Sequence, residues 1–179
     1  VSDYTFIDSP LGEILLISNG AALTGLHFVG EKYYPAIGAD WRRSADAEPF
    51  PAARRALREF FAGERTRFDL PLAPAGTAYQ LRVWHAIAEV PFAATIAYGE
   101  LTARLGNLHG ARAAGAATGR NPLSILIPCH RIVGADGALT GYAGGLDRKR
   151  ALLDFEAAVA ASGPRAFPPL PRQDRREPA

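Results

Sequence analysis

The stretch N-P-L-S-I-L-I-P-C-H-R-I-V-G, Asn121 to Gly134, holds the only cysteine of the chain, Cys129. Its apolar run, Leu123, Ile125, Leu126 and Ile127, reads as a buried strand. Pro128 has no amide hydrogen and ends any ladder, so the thiol is expected where a strand stops and the chain bends. On its own, a single cysteine beside an apolar strand is more often an inert small hydrophobe than a nucleophile. The next two residues shift that balance, because His130 offers a base and Arg131 a positive charge, and both favour thiolate. Successive residues of a regular strand face opposite ways, so Cys129 and His130 can meet only across a bend or through a bridging water.

Downstream, Arg131-Ile-Val and Ala138-Leu-Thr flank Asp136-Gly137, a hairpin signal. Gly141-Tyr142-Ala143-Gly144-Gly145 is a flexible loop with one aromatic, able to bring backbone amides close to a ligand. A last helix is expected over about 146–160. On it Leu152, Phe155 and Val159 share a face and Glu156 sits at the stripe's edge. A partly desolvated carboxylate there wants a cation. His130 could be that cation, and a surface ion pair with Arg148 is the competing reading.

Upstream, Tyr98–Leu105 and Ala111–Gly119 are two short helices about the Gly-containing turn 106–110, the pattern of a helix-turn-helix. The second is nearly all Ala and Gly, so it can lie very close to another surface. Tight helix packing and nucleic acid explain it about equally. Arg112 favours nucleic acid, since an arginine on a bare helix suits phosphate contact or insertion into a base stack. Before these, Thr77-x-x-Gln80 is a capping box. It opens a helix with Leu81, Val83, Trp84 and Ile87 inward and His85 on the surface. Leu70–Gly76 reads as a linker.

The first half reads as strands Tyr4–Ile7, Glu13–Ser18 and Ala21–Val29, the last two joined at Asn19-Gly20. A loop through Trp41–Glu48 and a helix from Pro51, stopped by Gly63, complete it. No catalytic grouping is visible there, and a scaffold is expected. The fold class is α+β. A small mixed domain of antiparallel sheet plus helix spans 1–75. A mostly helical domain with the helix-turn-helix and a short β-hairpin spans 76–160. A flexible tail rich in Pro and Arg spans 161–179.

A net charge of +2 is too small to announce nucleic acid by itself, but residues 1–75 carry −2 while 76–160 and 161–179 carry +2 each. Positive charge is biased towards the cysteine-bearing half. One cysteine excludes an intrachain disulfide, and four dispersed histidines lack metal-ligand spacing. No metal and no cofactor are expected. The chain shows no signal-peptide pattern and no membrane-length apolar run, so a reducing, cytoplasmic setting is expected.

These residues resemble the O6-alkylguanine-DNA alkyltransferase family (methylated-DNA–protein-cysteine methyltransferases). An ordered series from about Thr77 to Glu156 carries the likeness. It runs through Tyr79-Gln80, Val83-Trp84, Tyr98-Gly99-Glu100, Arg112-Ala-Ala-Gly115, Asn121-Pro122 and Ile127-Pro-Cys-His-Arg131. Gly141-Tyr142-Ala-Gly-Gly145 and Leu152-Leu153-x-x-Glu156 complete it. Residues 1–75 match only in the Ser-Pro-Leu-Gly turn and the helix ending at Ala62-Gly63. Ala93 and Ala97 stand where a glycine and a serine are common, Phe155 where histidine is frequent, and Ala143 where many members have serine. The zinc-binding cysteines of some relatives are missing.

The resemblance implies a protein that acts once. Cys129 would take an alkyl group from O6 of a guanine flipped out of double-stranded DNA, with His130 as base, Glu156 orienting it, Asn121 bracing the region and Tyr98 protonating the leaving guanine. Ala111, Arg112, Ala113, Gly115 and Arg131 would meet DNA in the minor groove. Tyr142, Ala143, Gly144 and Ile132 would hold the base, with Ala143 affecting the alkyl pocket. A monomer without membrane association is expected, with cooperative binding on DNA left open. Two alternatives remain, a non-catalytic binder of alkylated DNA and a cysteine hydrolase.

Overall fold

A computed structural model describes residues 1–106 and 109–170. Asn107 and Leu108, in the turn expected between the two short helices, and tail residues 171–179 lie outside the described residues.

Three strands, β1 (Asp3–Ile7), β2 (Ile14–Ser18) and β3 (Leu23–Phe28), pair antiparallel in succession. Every residue of β2 is buried, so both faces of the central strand are covered. The connection after β2 is longer than a two-residue turn, because Asn19 Oδ1 accepts from the amides of Ala21 and Ala22 at 3.0 and 2.9 Å. A fourth strand, β4 (Arg42–Arg43), joins β1 in parallel inside the stretch expected to be loop. Two residues leave no periodic signal in the sequence. What holds it is the backbone, Arg42 N on Ser2 O at 2.9 Å and Ser44 N on Tyr4 O at 3.0 Å, with Arg42 Nε on Asp3 Oδ1 at 2.7 Å beside them.

Helix α1 (Phe50–Phe61) has Pro51 in its first turn and ends at Gly63, whose φ of +71° suits glycine. The expected linker is pinned rather than free: Leu23 donates to Pro71 O and Ala73 to Leu23 O, both at 2.8 Å. Helix α2 (Ala78–Ala88) forms behind its capping box, with Thr77 N donating to Gln80 Oε1 and Gln80 N to Thr77 Oγ1. Val83, Trp84 and Ile87 are buried, but Leu81 is 40 % exposed and does not face the core as expected.

Helices α3 (Tyr98–Arg104) and α4 (Gly110–Gly119) follow. Trp84 Nε1 donates to Ala117 O at 2.8 Å, locking one face of α4 onto α2. The expected β-hairpin is not formed among the described residues. Instead β5 (Ile96–Ala97) pairs in parallel with β6 (Ile132–Val133), and the Asp136-Gly137 turn is closed by Gly134 N on Ala138 O. Helix α5 (Leu146–Ser162) then returns across the molecule.

The tail is also tighter than expected as far as residue 170. Phe167 is buried, packs tilted against Phe155 and edge-on against Phe61 with ring centroids 4.6 and 5.3 Å away, and donates its amide to Phe61 O. One continuous apolar cluster includes β2, β3, α1, α2, α5 and the residues around Cys129.

Candidate active site around Cys129

The segment before the cysteine is not a strand. Pro122 and Pro128 cannot donate, and Ile125 takes φ +70°, a conformation that ends any extended run in a β-branched residue. A single bridge remains, in which Leu26 N donates to Pro122 O and Ser124 N to Leu26 O, laying the segment on the outer edge of β3 beside the Leu23–Leu72 bridge. The sheet of the first half is thus the surface against which the cysteine loop is set.

Asn121 takes the place of the missing ladder. Its Oδ1 accepts from Leu123 N at 3.0 Å, and its Nδ2 donates to Ile127 O at 2.8 Å and to Cys129 Sγ at 3.1 Å. Cys129 opens a 3-10 turn, Cys129–Arg131, that begins after Pro128. Burial pushes its thiol up to about 11, although the Asn121 amide and the charge of Lys149 work the other way.

His130 is buried and its Nε2 lies 2.7 Å from Glu156 Oε1. Its Nδ1 has no hydrogen-bond partner among the described residues and is the ring nitrogen left for a proton. Burial lowers its pKa despite the carboxylate beside it, so the ring is neutral near pH 7. Glu156 is not at a stripe's edge but fully buried. Burial opposes its charge, yet His130 and Arg131 outweigh burial and hold it at about 2. Its Oε2 also accepts from Ala93 N at 3.0 Å.

Arg131 corrects an expectation. It was expected on the DNA side, but it is buried, with Nε 2.9 Å from Glu156 Oε2, Nη2 2.9 Å from Oε1 and Nη1 2.7 Å from Val90 O. A guanidinium so engaged is not offered to a phosphate. The 3-10 turn is the reason, since it delivers two consecutive residues to one carboxylate.

Tyr98 is the first residue of α3. Burial raises its phenol, with Thr140 as a partner that acts the other way. On α4, Ala111 and Arg112 are exposed and Ala113 and Gly115 half-buried, whereas Ala114 and Ala117 face the interior. Tight packing and an open small-residue face therefore coexist on one helix. A Cβ at Gly115 would stand 3.9 Å from the Tyr98 ring, so the helix borders the phenol.

Tyr142 and Ala143 are half-buried and Gly144 is buried. The hydroxyls of Tyr142 and Ser124 are both buried; neither makes a hydrogen bond of good geometry among the described residues, but they lie close enough for Ser124 to act on the Tyr142 phenol. A side chain at Gly144 would meet Tyr142 at 2.8 Å and Phe28 at 2.9 Å, which excludes anything but glycine. Ile132 is buried and its carbonyl accepts from Lys149 Nζ at 2.6 Å, while Ala143 O accepts from Lys32 N at 3.0 Å. Base recognition by these carbonyls would use a second lone pair.

On α5, Lys149 was missed and Arg148 was given a different partner. Lys149 is buried, with Nζ on Ile132 O and Thr140 O at 2.6 and 2.8 Å, and burial brings it down to about 8. The signal was present: residues 149, 152, 156 and 159 recur at helical spacing, so the lysine lies on the buried stripe. Arg148 donates to Leu11 O and Gly144 O at 2.8 and 2.9 Å, tying the first turn of the chain to the glycine loop. A separate concavity of about 790 Å3, lined by residues including Phe6, Leu57, Phe61 and Pro164, touches none of the residues around Cys129. No helix of the described residues is long and apolar enough to cross a membrane.

Comparison with known proteins places this geometry in context. The model of the 6-O-methylguanine DNA methyltransferase DNA-binding domain matches residues 78–158, and that of the ribonuclease-like domain of the same proteins matches residues 3–74. A methylated-DNA–protein-cysteine methyltransferase of Mycobacterium tuberculosis is 44% identical over 157 residues, covering 88% of this chain and 93% of the relative. One from Haemophilus influenzae is 42% identical, covering 86% and 85%. The crystal structure of Mycobacterium tuberculosis OGT in complex with DNA superposes with a TM-score of 0.79 at 42% identity, over 87% of this chain and 93% of that one.

Proposed function

The chain belongs to the 6-O-methylguanine DNA methyltransferase family, and on that premise we propose that it repairs DNA by moving an alkyl group from O6 of guanine to Cys129, once and irreversibly. The observation that supports this most is the Cys129-His130-Glu156 arrangement. A thiol held by Asn121 is followed at once by a neutral imidazole backed by a buried carboxylate.

At neutral pH the thiol is protonated, so its proton must leave as sulfur attacks. His130 Nδ1 is the acceptor, reached through a water, and Glu156 stabilises the imidazolium that results. The S–C bond forms as the C–O6 bond breaks, and the electron pair stays on guanine. Tyr98 supplies the proton that makes guanine a competent leaving group, a contribution worth roughly 10²–10⁴-fold. Asn121 and the Lys149 charge favour the developing thiolate. The thioether product has no route back to thiol, so each molecule is spent.

The guanine must leave the stack to be reached. Arg112 fills the gap from α4, whose Ala111, Ala113 and Gly115 lie in the minor groove, and Tyr142 packs against the extruded base. DNA is the partner, as it is for Mycobacterium tuberculosis OGT, and a duplex is the form from which a base must be extruded. A single essential thiol suits a reducing compartment such as the cytoplasm.

Mass spectrometry after incubation with an O6-methylguanine duplex tests the reading. The expected result is one methyl group per protein, located on Cys129, and none on Cys129→Ala. Product formed repeatedly without added mass indicates a hydrolase, and binding with no transfer indicates a passive reader; either result overturns the proposal.

A further inference from the structure

The chain from Val29 to Tyr34, just after β3, leaves the first half and reaches over the second. Lys32 donates its amide to Ala143 O in the glycine loop. Tyr33 then takes φ +66°. A bulky residue in this left-handed region is costly, and it persists only where surrounding contacts enforce it. Its ring is not driven there by burial, since Tyr33 remains 45 % exposed.

What meets the ring is positive charge. Arg120, the residue that caps the end of α4, places its guanidinium 3.8 Å from the ring centroid, and Lys32 Nζ stands 4.9 Å from it. The Tyr33 phenol is drawn below its ordinary value by Lys32 first and Arg120 as well. The arginine ion pairs of the described residues use Arg42, Arg54, Arg65, Arg104 and Arg131 instead. Lys32 and Arg120 are both exposed. Two cations therefore converge on a neutral ring at the surface, with no carboxylate in an ion pair with either among the described residues. The ring orients them without consuming their charge. A depression of about 390 Å3 beside them is lined by residues including Tyr33, Arg120, Ala113 and Ala116, with Thr77 and Gln80 at the start of α2 on its other side, so it borders α4.

Resting on the function proposed above, we propose that Lys32 and Arg120, ordered by Tyr33, form a phosphate clamp through which the N-terminal half takes part in DNA binding. The partner is the sugar-phosphate backbone alongside α4. Neither cation reads sequence, and Tyr33 acts as a positioning residue. The clamp also gives a reason for the Lys32–Ala143 hydrogen bond: it joins a backbone-gripping element to the loop that holds the flipped base.

Salt titration of duplex binding by the full chain tests this, using a duplex short enough for one protein, with reaction toward free O6-benzylguanine as control. Removing one cation that neutralises a phosphate should reduce the slope of log K against log salt by about 0.9. Lys32→Gln and Arg120→Gln are each expected to show that reduction with a free-base rate within twofold of the parent, and Lys32→Arg to restore the slope. Tyr33→Ala is expected to weaken duplex binding several-fold without slowing the free base. Unchanged slopes in both glutamine variants overturn the clamp. So does an equal loss toward duplex and free base, which marks a folding defect. A defect confined to long duplexes overturns it as well, because it points to contact between neighbouring copies. Should the parent protein itself fail to bind duplex or to be alkylated at Cys129, it is the function that fails rather than the clamp.

Discussion

Asn121 Nδ2 lies 3.1 Å from Cys129 Sγ and 2.8 Å from Ile127 O, so one amide group holds both the sulfur and the backbone leading to it. Asn121→Ala removes a donor from the sulfur and leaves the buried amide of Leu123 unpaired, while Ile127 O keeps its bond from Cys129 N at 2.8 Å. A loss of about 1–3 kcal/mol, the scale for one unsatisfied buried group, is expected in urea melts. The thiol should also move above its already raised value of about 11. Thiolate absorbance against pH measures that shift. A variant with unaltered titration would show that the amide braces the loop without tuning the sulfur.

Arg131 gives the sharpest test of a corrected expectation. Because its guanidinium is spent on Glu156 and Val90 O, Arg131→Met should cost roughly 3–5 kcal/mol, the scale for stranding one member of a buried ion pair. The salt dependence of DNA binding should stay that of the parent. If the slope falls by about 0.9, the arginine reaches a phosphate after all.

Local signals carried the parts of the fold that the sequence made legible. The capping box at Thr77, Pro51 and Gly63 around α1, and the short apolar runs and turn residues that bound β1–β3 each act within a few residues. Features set by distant contacts were not legible. Asn121 replaces a strand ladder with its side chain, and nothing in Leu123–Ile127 alone announces φ +70° at Ile125. β4, β5 and β6 have two residues each and exist through their partners. At the site, His130 as a base and its pairing with Glu156 were legible in the residues, and the likeness to a family added Glu156's orienting role; their 2.7 Å contact is a geometric finding that leaves the chemical roles to experiment. Lys149 was overlooked for a different reason: between two arginines, its charge hid its place on the buried stripe.

The site also fixes a pH dependence. His130 has a folded pKa below its ordinary 6.5, so on acidification the unfolded chain takes up that proton first. Its contribution is present above about 6.5 and declines below it. Glu156, held at about 2 against an ordinary 4.5, adds stability that is complete above 4.5 and lost as pH falls towards 2. Both act in one direction, so the melting temperature should fall below pH 6.5 and again below 4.5. The single-turnover rate should fall at lower pH than the first drop in stability, through the depressed folded pKa of His130, because protonated His130 cannot accept the thiol proton. A rate that stays level while NMR shows His130 of the folded protein taking up its proton would remove it from the base role.

Phe167 ties the end of the chain to the carboxylate helix. It contacts Phe155, the residue before Glu156, and Phe61 of α1. Phe167→Ala is expected to cost roughly 3–5 kcal/mol, as for other buried aromatics. Thermal melts should show the loss, and Phe167→Leu should recover most of it. If Phe167→Ala melts like the parent, the segment is draped rather than packed.

Two departures from the family's usual residues can be reversed, and the structure gives the sign of each. Ala97 is the N-cap of α3, with extended dihedrals and no side-chain acceptor for the helix amides. Ala97→Ser supplies one and should add about 1 kcal/mol. Ala93 sits at φ +61°, where a Cβ costs roughly 1–2 kcal/mol, while its amide holds Glu156 Oε2. Ala93→Gly removes that strain but adds about 0.4–1 kcal/mol of unfolded-state freedom. The balance favours glycine by up to about 1.5 kcal/mol. Because both residues flank the segment that presents Tyr98 and anchors Glu156, the double variant should melt higher than either single one, with free-base reactivity unchanged. A lower melting point for Ala93→Gly would mean that the neighbouring chain, rather than the missing glycine, sets the backbone there.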